Sequence, residues 1–558
     1  MKVIIVGGVA GGASCAARLR RLDEKAEIVI IERSGYVSYA NCGLPYYIGG
    51  VIKDRSNLTL QTPLSFFRRF NIDVRVNHEV IKIVENEKKV IIKNLITNEV
   101  FDEYYDKLVL SPGAKPIIPS IKGIDNFKVF TLRTVEDTFK IYDFINKHNP
   151  KKAVVIGAGF IGLEMAENLI NKNIEVDIVQ KGNYIMPVID EDMSNILSNY
   201  LTKNGIRIHL NFDTCSIEPK NEKLIVKSTD DLKVTTDFVI LAVGVMPESK
   251  LALDINAKLG IKNAICVNNK MQISDDIYAV GDAVMIKHML TNADAVISLA
   301  GPANKEGIVA ANNICNINDE YKGSLGSSIM KMFDLTVAST GYNSIQCLQN
   351  KFDFDYVILQ ASSHANYYPN AKSMYIKVLF EKNNGKILGA QIIGFEGVDK
   401  KIDVLATAIK FKATAYDLKD LDLAYAPPYS QAKDPINIVG YMIENLLNGL
   451  VKQIHWEDLL NHKDAYILDV RTVLEYNKSH FKDAHNIEVD DLRNNLNSIP
   501  KDKEILVYCH SGLRSYIACN ILQANGYNCY NISGGYSFYE NTTLKNCLSE
   551  KGKKPCGL

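Results

Sequence analysis

Cysteine is scarce in this sequence, 11 in 558 residues, too few for a disulfide scaffold. None stands in a C-x2-C pair or in a Cys/His spacing that would hold zinc, so no metal site is expected and a reducing compartment suits the thiols. Net charge is missing as well: 64 Lys+Arg balance 64 Asp+Glu, which argues against a chain built as a whole to grip nucleic acid or an acidic membrane surface. Nowhere do about 18 apolar residues run together as a bilayer span requires. Met1–Gly8 lacks the basic and apolar regions of a secretory leader, and Cys556 in KKPCGL stands third from the end, one place short of a prenylation box. A cytoplasmic location without nucleic-acid or membrane partners is the expectation. Long low-complexity linkers and tandem repeats are also absent. What is present is ordinary for folded domains, 23% charged and 47% apolar residues, over a length that calls for about three to five of them.

KVIIVGG (Lys2–Gly8), a small-residue helix from about Gly12 to Leu22 and EIVIIER (Glu27–Arg33) spell strand, helix, strand. The same grammar returns in KKAVVIGAGFIGLEMAENLI (Lys151–Ile170) and EVDIVQK (Glu175–Lys181). Further strands are read at Lys89–Asn94, Asp106–Ala114, Asp237–Gly244 and Asp276–Ala283. From about Leu325 to Gly440 the pattern shifts to strands Ser373–Glu381 and Lys386–Gly394 and a helix near Lys401–Phe411, with no Gly-rich turn. A last restart from about Val451 brings strands Ala465–Val470 and Glu504–Cys509 and a helix near Leu513–Ala524.

Gly157, Gly159 and Gly162 form G-x-G-x-x-G between strand and helix, where bare backbone lets a pyrophosphate approach the N–H groups of the helix start. The strand about twenty residues on ends in Gln180 and Lys181, not in the carboxylate that would hold a ribose 2′-hydroxyl and repel a 2′-phosphate, so NADPH is tolerated beside NADH. The first turn reads G-G-V-A-G-G (Gly7–Gly12), with Val9 at the middle glycine position; Glu32 closes its second strand as the ribose acid, and YAVGDA (Tyr278–Ala283) puts Asp282 beside a glycine. On these motifs the chain, from about Met1 to Gly440, resembles the flavoprotein disulfide reductases with two dinucleotide folds. The resemblance implies FAD in the first unit, on Gly7, Gly8, Ala10, Gly11, Gly12, Glu32, Arg33, Ser111, Gly113, Asp282, Ala300 and Asn304. It implies NAD(P)H in the second, on Gly157, Gly159, Phe160, Ile161, Gly162, Glu164, Gln180, Lys181 and Gly244.

In SYANCGLPYYIGG (Ser38–Gly50) Cys42 stands at an expected helix start, whose dipole should lower its pKa and favour the thiolate that disulfide exchange needs. Glutathione-reductase-like relatives carry a second cysteine five positions away, but here Val37 and Tyr47 occupy those places. Cys42 therefore either forms a mixed disulfide with a small thiol or cycles through a sulfenic acid, as in NADH oxidases and peroxidases. Those relatives usually carry a histidine where this chain has Ala10. HANYYPNA (His364–Ala371) and LAYAPPYSQAKDP (Leu423–Pro435) resemble segments of the coenzyme A disulfide reductases, in which two tyrosines reach the partner subunit's cysteine; carried over, these are Tyr367 and Tyr425. A phenol beside a leaving thiolate can give it a hydrogen bond or a proton. The same resemblance makes Arg18, Arg21, Ser38, Asn41 and Arg69 candidate contacts for the phosphates of CoA, near Arg20 and Arg68. Cys15, Cys215, Cys266, Cys315 and Cys347 are read as structural thiols.

YCHSGLRS (Tyr508–Ser515) reads as a strand, a loop and a helix start, with Cys509 first and Arg514 last, and such a loop can turn its N–H groups on a thiolate or persulfide. With LDVRTVLEY (Leu468–Tyr476) and HFKDAHNI (His480–Ile487) it resembles a rhodanese domain, whose cysteine carries sulfane sulfur in a loop here formed by His510, Ser511, Gly512, Leu513 and Arg514. Cys519, Cys529, Cys547 and Cys556 have no such setting. The expected fold is α/β: two Rossmann-like dinucleotide-binding domains, an α+β dimerisation domain and a C-terminal rhodanese-like α/β domain. The blocks are 1–150 and 271–324 for FAD, 151–270 for NAD(P)H, 325–445 for dimerisation and 451–550 for rhodanese. The expected activity is NAD(P)H-dependent reduction of CoA disulfide, CoA persulfide or polysulfide through a covalent Cys42–CoA mixed disulfide, in a homodimer with shared active sites. The alternatives are a sulfenic-acid oxidase or peroxidase and a redox-sensing sulfur carrier.

Overall fold

The computed structural model describes residues 1–543; the readings of Cys547, Cys556 and the end of the 451–550 block lie outside the described residues. The chain divides into two compact units, Met1–Asn183 with Gly205–Gly326, and Tyr184–Asn204 with the chain from Ser327 onward.

The first unit is built on two all-parallel five-stranded sheets. One runs in the order Ile277–Ala279, Lys107–Leu110, Lys2–Val6, Glu27–Glu32, Asp73–Val76. Val3, Ile4, Ile5, Ile28, Val29, Ile30 and Ile31 are all buried, as expected for strands covered on both faces, and this is why these runs do not alternate with polar residues. The other sheet runs Arg207–His209, Glu175–Val179, Lys152–Ile156, Phe238–Leu241, Val129–Thr131. Its last strand comes from ahead of residue 150, so the chain enters the second sheet before the second Gly-rich turn. In both sheets the first β-α-β strand is central, and the strand order reverses there, opening a crevice at the strand ends.

Each Gly-rich turn is dictated by close approach. Gly7 and Gly157 have φ of +95° and +101°, the left-handed region that glycine enters at no steric cost. A Cβ on Gly12 would stand 1.9 Å from the carbonyl oxygen of Gly7, and one on Gly162 would stand 2.1 Å from that of Gly157. The helices Ala10–Leu22 and Phe160–Ile170 can lie against their strands only because both positions are bare.

In the second unit an antiparallel sheet runs Ser328–Met332, Leu335–Gly341, Ile387–Gly394, Ser373–Glu381, Phe354–Ser362. The fully buried Lys377 of this sheet reaches Asp190 (2.9 Å) and Asp192 (2.7 Å), at the start of the helix Glu191–Lys203. A third parallel sheet runs Gln453–Ile454, Cys529–Ile532, Ile505–Tyr508, Tyr466–Asp469, His485–Asn486. It is docked on the antiparallel sheet by a polar set: His455 Nε2 meets Asp355 at 2.7 Å, Tyr356 donates to Glu457 at 2.6 Å, and the hydroxyls of Tyr375 and Ser537 meet at 2.6 Å. The His455 ring stacks on Tyr356, 3.7 Å between centroids.

The glycine geometry predicts a contrast within one motif. Gly162→Ala should lower stability by about 1–3 kcal/mol or more through backbone overlap. Gly159→Ala, whose new Cβ meets nothing within 4 Å, should change it by less than about 0.5 kcal/mol. Thermal unfolding of the two variants checks this, and equal melting would refute it.

Candidate functional site

A cavity of about 860 Å³ opens at the strand ends of the first sheet, within the size range of cofactor sites. Of the residues expected to hold FAD, Gly7, Ala10, Gly11, Glu32, Arg33, Ser111, Gly113, Asp282 and Ala300 line it. Gly8, Gly12 and Asn304 do not: Gly8 donates its N–H to Glu32 at 2.9 Å, Gly12 serves the helix packing, and Asn304 accepts from the Ser14 hydroxyl at 2.6 Å. Glu32 also accepts from the Ser34 N–H at 2.9 Å; burial pushes its carboxyl up, and the two N–H groups pull it down. The wall contains groups that sequence reasoning missed. Tyr39 and the run 77–81 line it, as do Arg133 and Glu136. Arg133 pairs with Asp282 at 2.7 Å. Glu136 Oε1 accepts from Ser34 Oγ at 2.7 Å and Gly35 N at 3.0 Å, whereas its Oε2 is buried without a protein partner. An unpartnered acceptor in the wall of a glycine-floored cavity fits a polyhydroxylated dinucleotide. The only sign of Arg133 and Glu136 in the sequence is the helix-start pattern T-V-E-D at Thr134–Asp137, where Thr134 accepts from the Asp137 N–H.

At the second turn Gly159 is open on the side where a Cβ would point, the space a pyrophosphate needs. Phe160 and Ile161 begin the helix, and Gly244 has φ +112° just beyond the strand Phe238–Leu241. Gln180 folds back on the turn, accepting from the Ala158 N–H at 3.1 Å. Lys181 is exposed and pairs with Asp213 at 2.9 Å, so the cation beside the ribose position comes with a carboxylate.

Cys42 lies in the short turn Asn41–Gly43, ahead of the helix Leu44–Gly49, and lines the cavity. The expected lowering of its pKa is overturned. Burial raises the thiol, the Glu164 and Asp282 carboxylates push it the same way, and Arg133 alone opposes them. The helix behind it has six residues, too short to outweigh two carboxylates. Glu164 is itself pushed up to about 7 by burial, against a hydrogen bond from Tyr46 at 3.4 Å.

Among the expected CoA contacts, Arg21 and Arg69 are exposed, and Arg18 is turned to Asn312 at 2.8 Å. Ser38 adopts φ +47°. Asn41 donates to the Arg133 carbonyl at 3.0 Å and accepts from its guanidinium at 3.2 Å. Arg20 has a structural task, donating to the carbonyls of Phe70, Asp23, Glu24, Ala26 and Asn71. In the second unit the hydroxyls of Tyr367 and Tyr425 meet at 2.7 Å, and both rings are exposed, 76% and 43%.

Cys509 sits buried at the end of the strand Ile505–Tyr508. The Gly512 N–H donates to its sulfur at 3.1 Å, from a residue at φ +106°, and the Ser515 hydroxyl lies 3.4 Å from the sulfur and 3.0 Å from the Gly512 carbonyl, sharing its one proton between them. Ser515, in the first turn of the helix Leu513–Ala524, is the hydroxyl that sequence reasoning passed over. His510, Ser511 and Leu513 shape the loop. Arg514 is held by a two-pronged pair with Glu475, both bonds 2.7 Å, which keeps the Glu475 carboxyl low, at about 2.

Two dinucleotide turns, a thiol in the cavity wall and a second thiol cradled in a loop define a nucleotide-dependent thiol oxidoreductase carrying a sulfur-handling domain. The chain belongs to the pyridine nucleotide-disulphide oxidoreductase family: residues 1–307 match that family, 327–435 match its dimerisation domain, and 455–542 match the rhodanese-like domain. It is 38% identical over 447 residues to the coenzyme A disulfide reductase of Staphylococcus haemolyticus, covering 80% of this chain and 100% of that one. The structure of reduced Bacillus anthracis CoADR-RHD superposes with a TM-score of 0.95 at 45% identity, over 97% of this chain and 98% of that one. An NAD-dependent persulfide reductase from A. fulgidus gives a TM-score of 0.92 at 35% identity, over 97% and 100%. No helix among the described residues is long and apolar enough to cross a membrane.

The charges around Cys42 generate a pH prediction. Glu164 ionises as pH rises through about 7, and the new negative charge raises the neighbouring thiol. Glu164→Gln should therefore move the iodoacetamide alkylation profile of Cys42, followed on its own peptide, to lower pH and speed alkylation near neutrality by about twofold or more. An unchanged profile would show that the carboxylate does not reach the sulfur.

Proposed function

We propose that the chain is an FAD- and NAD(P)H-dependent reductase of CoA disulfide, CoA persulfide or polysulfide that works through Cys42, with a C-terminal sulfurtransferase domain. The observation that carries this reading is a single cysteine in the wall of the cavity, with buried Val37 and Tyr47 where a second redox cysteine would stand. Disulfide exchange without an internal partner leaves the small substrate thiol on the enzyme. The relatives named for CoA disulfide and persulfide reduction support the choice of substrate.

FAD would be held by the Gly7–Gly12 turn, Glu32 and the Asp282–Arg133 pair, NAD(P)H by the Gly157–Gly162 turn. Once bound, the two supply an electron pair to the thiol site. The chain's own part begins with the Cys42 thiolate attacking one sulfur of CoA–S–S–CoA. The Cys42–S–S–CoA bond forms, the substrate S–S bond breaks, and one CoA thiolate leaves. Tyr367 and Tyr425, reaching the partner subunit's Cys42 in a homodimer, donate the hydrogen bond or proton that the leaving thiolate takes. Two-electron reduction of the mixed disulfide, by the pair that the bound cofactors would supply, breaks the Cys42–S–S–CoA bond, frees the second CoA thiol and restores the Cys42 thiolate. The sum is CoA–S–S–CoA + NAD(P)H + H⁺ giving 2 CoA–SH + NAD(P)⁺. With CoA persulfide the first leaving group is hydrosulfide. Arg18, Arg21, Ser38, Asn41 and Arg69 receive the CoA phosphates and pantetheine arm in this reading, and the reducing cytoplasm suits a chemistry that ends in free thiols. The Cys509 thiolate attacks the outer sulfur of thiosulfate or a polysulfide, the donor S–S bond breaks and sulfite or the shortened polysulfide leaves; the resulting persulfide sits under the Gly512 N–H beside the Ser515 hydroxyl, and a CoA or other small thiolate then takes its outer sulfur, restoring the Cys509 thiolate.

Two variants separate the activities. Cys42→Ser should keep the flavin yet lose NAD(P)H-dependent CoA disulfide reduction by about a hundredfold or more, because a serine cannot form the mixed disulfide. Cys509→Ser should spare that reduction and abolish sulfur transfer from thiosulfate or polysulfide. Assaying both activities on each preparation tests the assignment. Disulfide reduction surviving in Cys42→Ser would end the mechanism, and sulfur transfer surviving in Cys509→Ser would make the tail a scaffold.

A further inference from the structure

Tyr425 has no helix or strand to hold it. It lies in the irregular stretch between the helices Ala415–Asp420 and Pro435–Leu447, yet its hydroxyl is placed 2.7 Å from that of Tyr367. The order comes from the residues that follow. The amides of Tyr429 and Ser430 close on the carbonyl of Ala426, the very next residue, at 2.9 and 3.2 Å. The carbonyl of Pro427 accepts from Ala365 at 3.3 Å, two residues ahead of Tyr367, so this one turn touches both tyrosine segments. Ser430 anchors the turn inward. Its hydroxyl donates to Asp434 at 2.7 Å and accepts from Lys401 Nζ at 3.2 Å, and Lys401 also pairs with Asp434. Asp434 in turn accepts from the Ile436 N–H at 2.9 Å, capping the next helix.

All three side chains are buried, Lys401 1%, Ser430 1% and Asp434 3% exposed. Burying a charge pair is costly and gives little net stability over an apolar replacement, so stability alone is a weak reason to keep a lysine here. What the pair adds over a leucine or methionine is direction: three bonds fix where Ser430, and with it the turn, must sit.

We propose that Lys401 is a positioning residue, which from the helix Val398–Lys410 grips Ser430 and Asp434 and so sets the Ala426–Ser430 turn that carries Tyr425 to Tyr367. This rests on the reading that the tyrosine pair serves the Cys42 chemistry, and the test separates the two. Steady-state CoA disulfide reduction by NADPH is measured on the full-length holoenzyme carrying Lys401→Met, Tyr425→Phe or both. Each single change should lower kcat by about tenfold with the KM for NADPH unchanged, and the double variant should match Tyr425→Phe alone, because both act through one hydroxyl. Flavin reduction by NADPH in the absence of disulfide should keep its wild-type rate in all three. Full activity of Lys401→Met beside a slow Tyr425→Phe would overturn the positioning role and leave the tyrosine reading standing. Full activity of Tyr425→Phe would overturn that reading and the proposal with it. Losses that multiply in the double variant would place the effect of Lys401 elsewhere. If Lys401→Met does not fold, Ser430→Ala, which deletes only the hydroxyl at the centre of the cluster, is held to the same pattern.

Discussion

The first unit depends on how closely a helix can begin against the strand that precedes it. At Gly12 and at Gly162 the next heavy atom beyond the missing side chain is a carbonyl oxygen of the same turn, 1.9 and 2.1 Å from where a Cβ would stand. Because both positions are bare, each helix presents its first N–H groups at the strand end, the arrangement that receives a pyrophosphate. The cavity at the first turn follows from this placement, with Glu32, Asp282 and Arg133 on its walls. A Cβ on Gly159, by contrast, would meet nothing within 4 Å, so helix packing does not require a glycine there.

The thiol in that cavity wall is not stabilised as a free thiolate. Glu164 and Asp282 both disfavour its charge, and Arg133, already paired with Asp282, gives partial relief. A raised thiol is a poor nucleophile at rest but a strong one once deprotonated, so a proton must be removed for Cys42 to react. Glu164, held near neutrality by burial, adds a charge whose appearance follows the pH of the surroundings. Cys509 sits in a different setting, buried at a strand end with the Gly512 N–H directed at its sulfur. The rhodanese-like sheet is moreover docked through His455, Tyr356 and Tyr375 on the antiparallel sheet, so it is a fixed part of its unit, not a body on a free tether.

Local patterns were legible in the sequence and long-range pairings were not. Ser373–Glu381 and Leu513–Ala524 form as read, because a β-branched or apolar run and a loop-to-helix start are decided within a dozen residues. Both Gly-rich turns were legible for the same reason. The strand Val129–Thr131 looks like any short apolar stretch until it pairs with Phe238–Leu241, and Arg133 gains meaning only beside Asp282, 149 residues away. Lys377 is buried between Asp190 and Asp192, and that burial depends on a helix nearly two hundred residues upstream. The thiol's electrostatics failed from the sequence because the helix start is a local pattern, whereas the effect of Glu164 and Asp282 on Cys42 comes from residues more than a hundred positions away.

The central claim is that Cys42 forms a covalent bond to CoA during turnover. Intact-mass measurement of the protein after exposure to CoA disulfide, with and without a reducing agent, tests it most directly. The account predicts an added mass equal to one CoA per chain, removed by the reductant, mapped to the Cys42 peptide and absent from Cys42→Ser. A Cys42 that stays unmodified by CoA, or that is captured by a sulfenic-acid reagent after peroxide while CoA leaves it untouched, would contradict it.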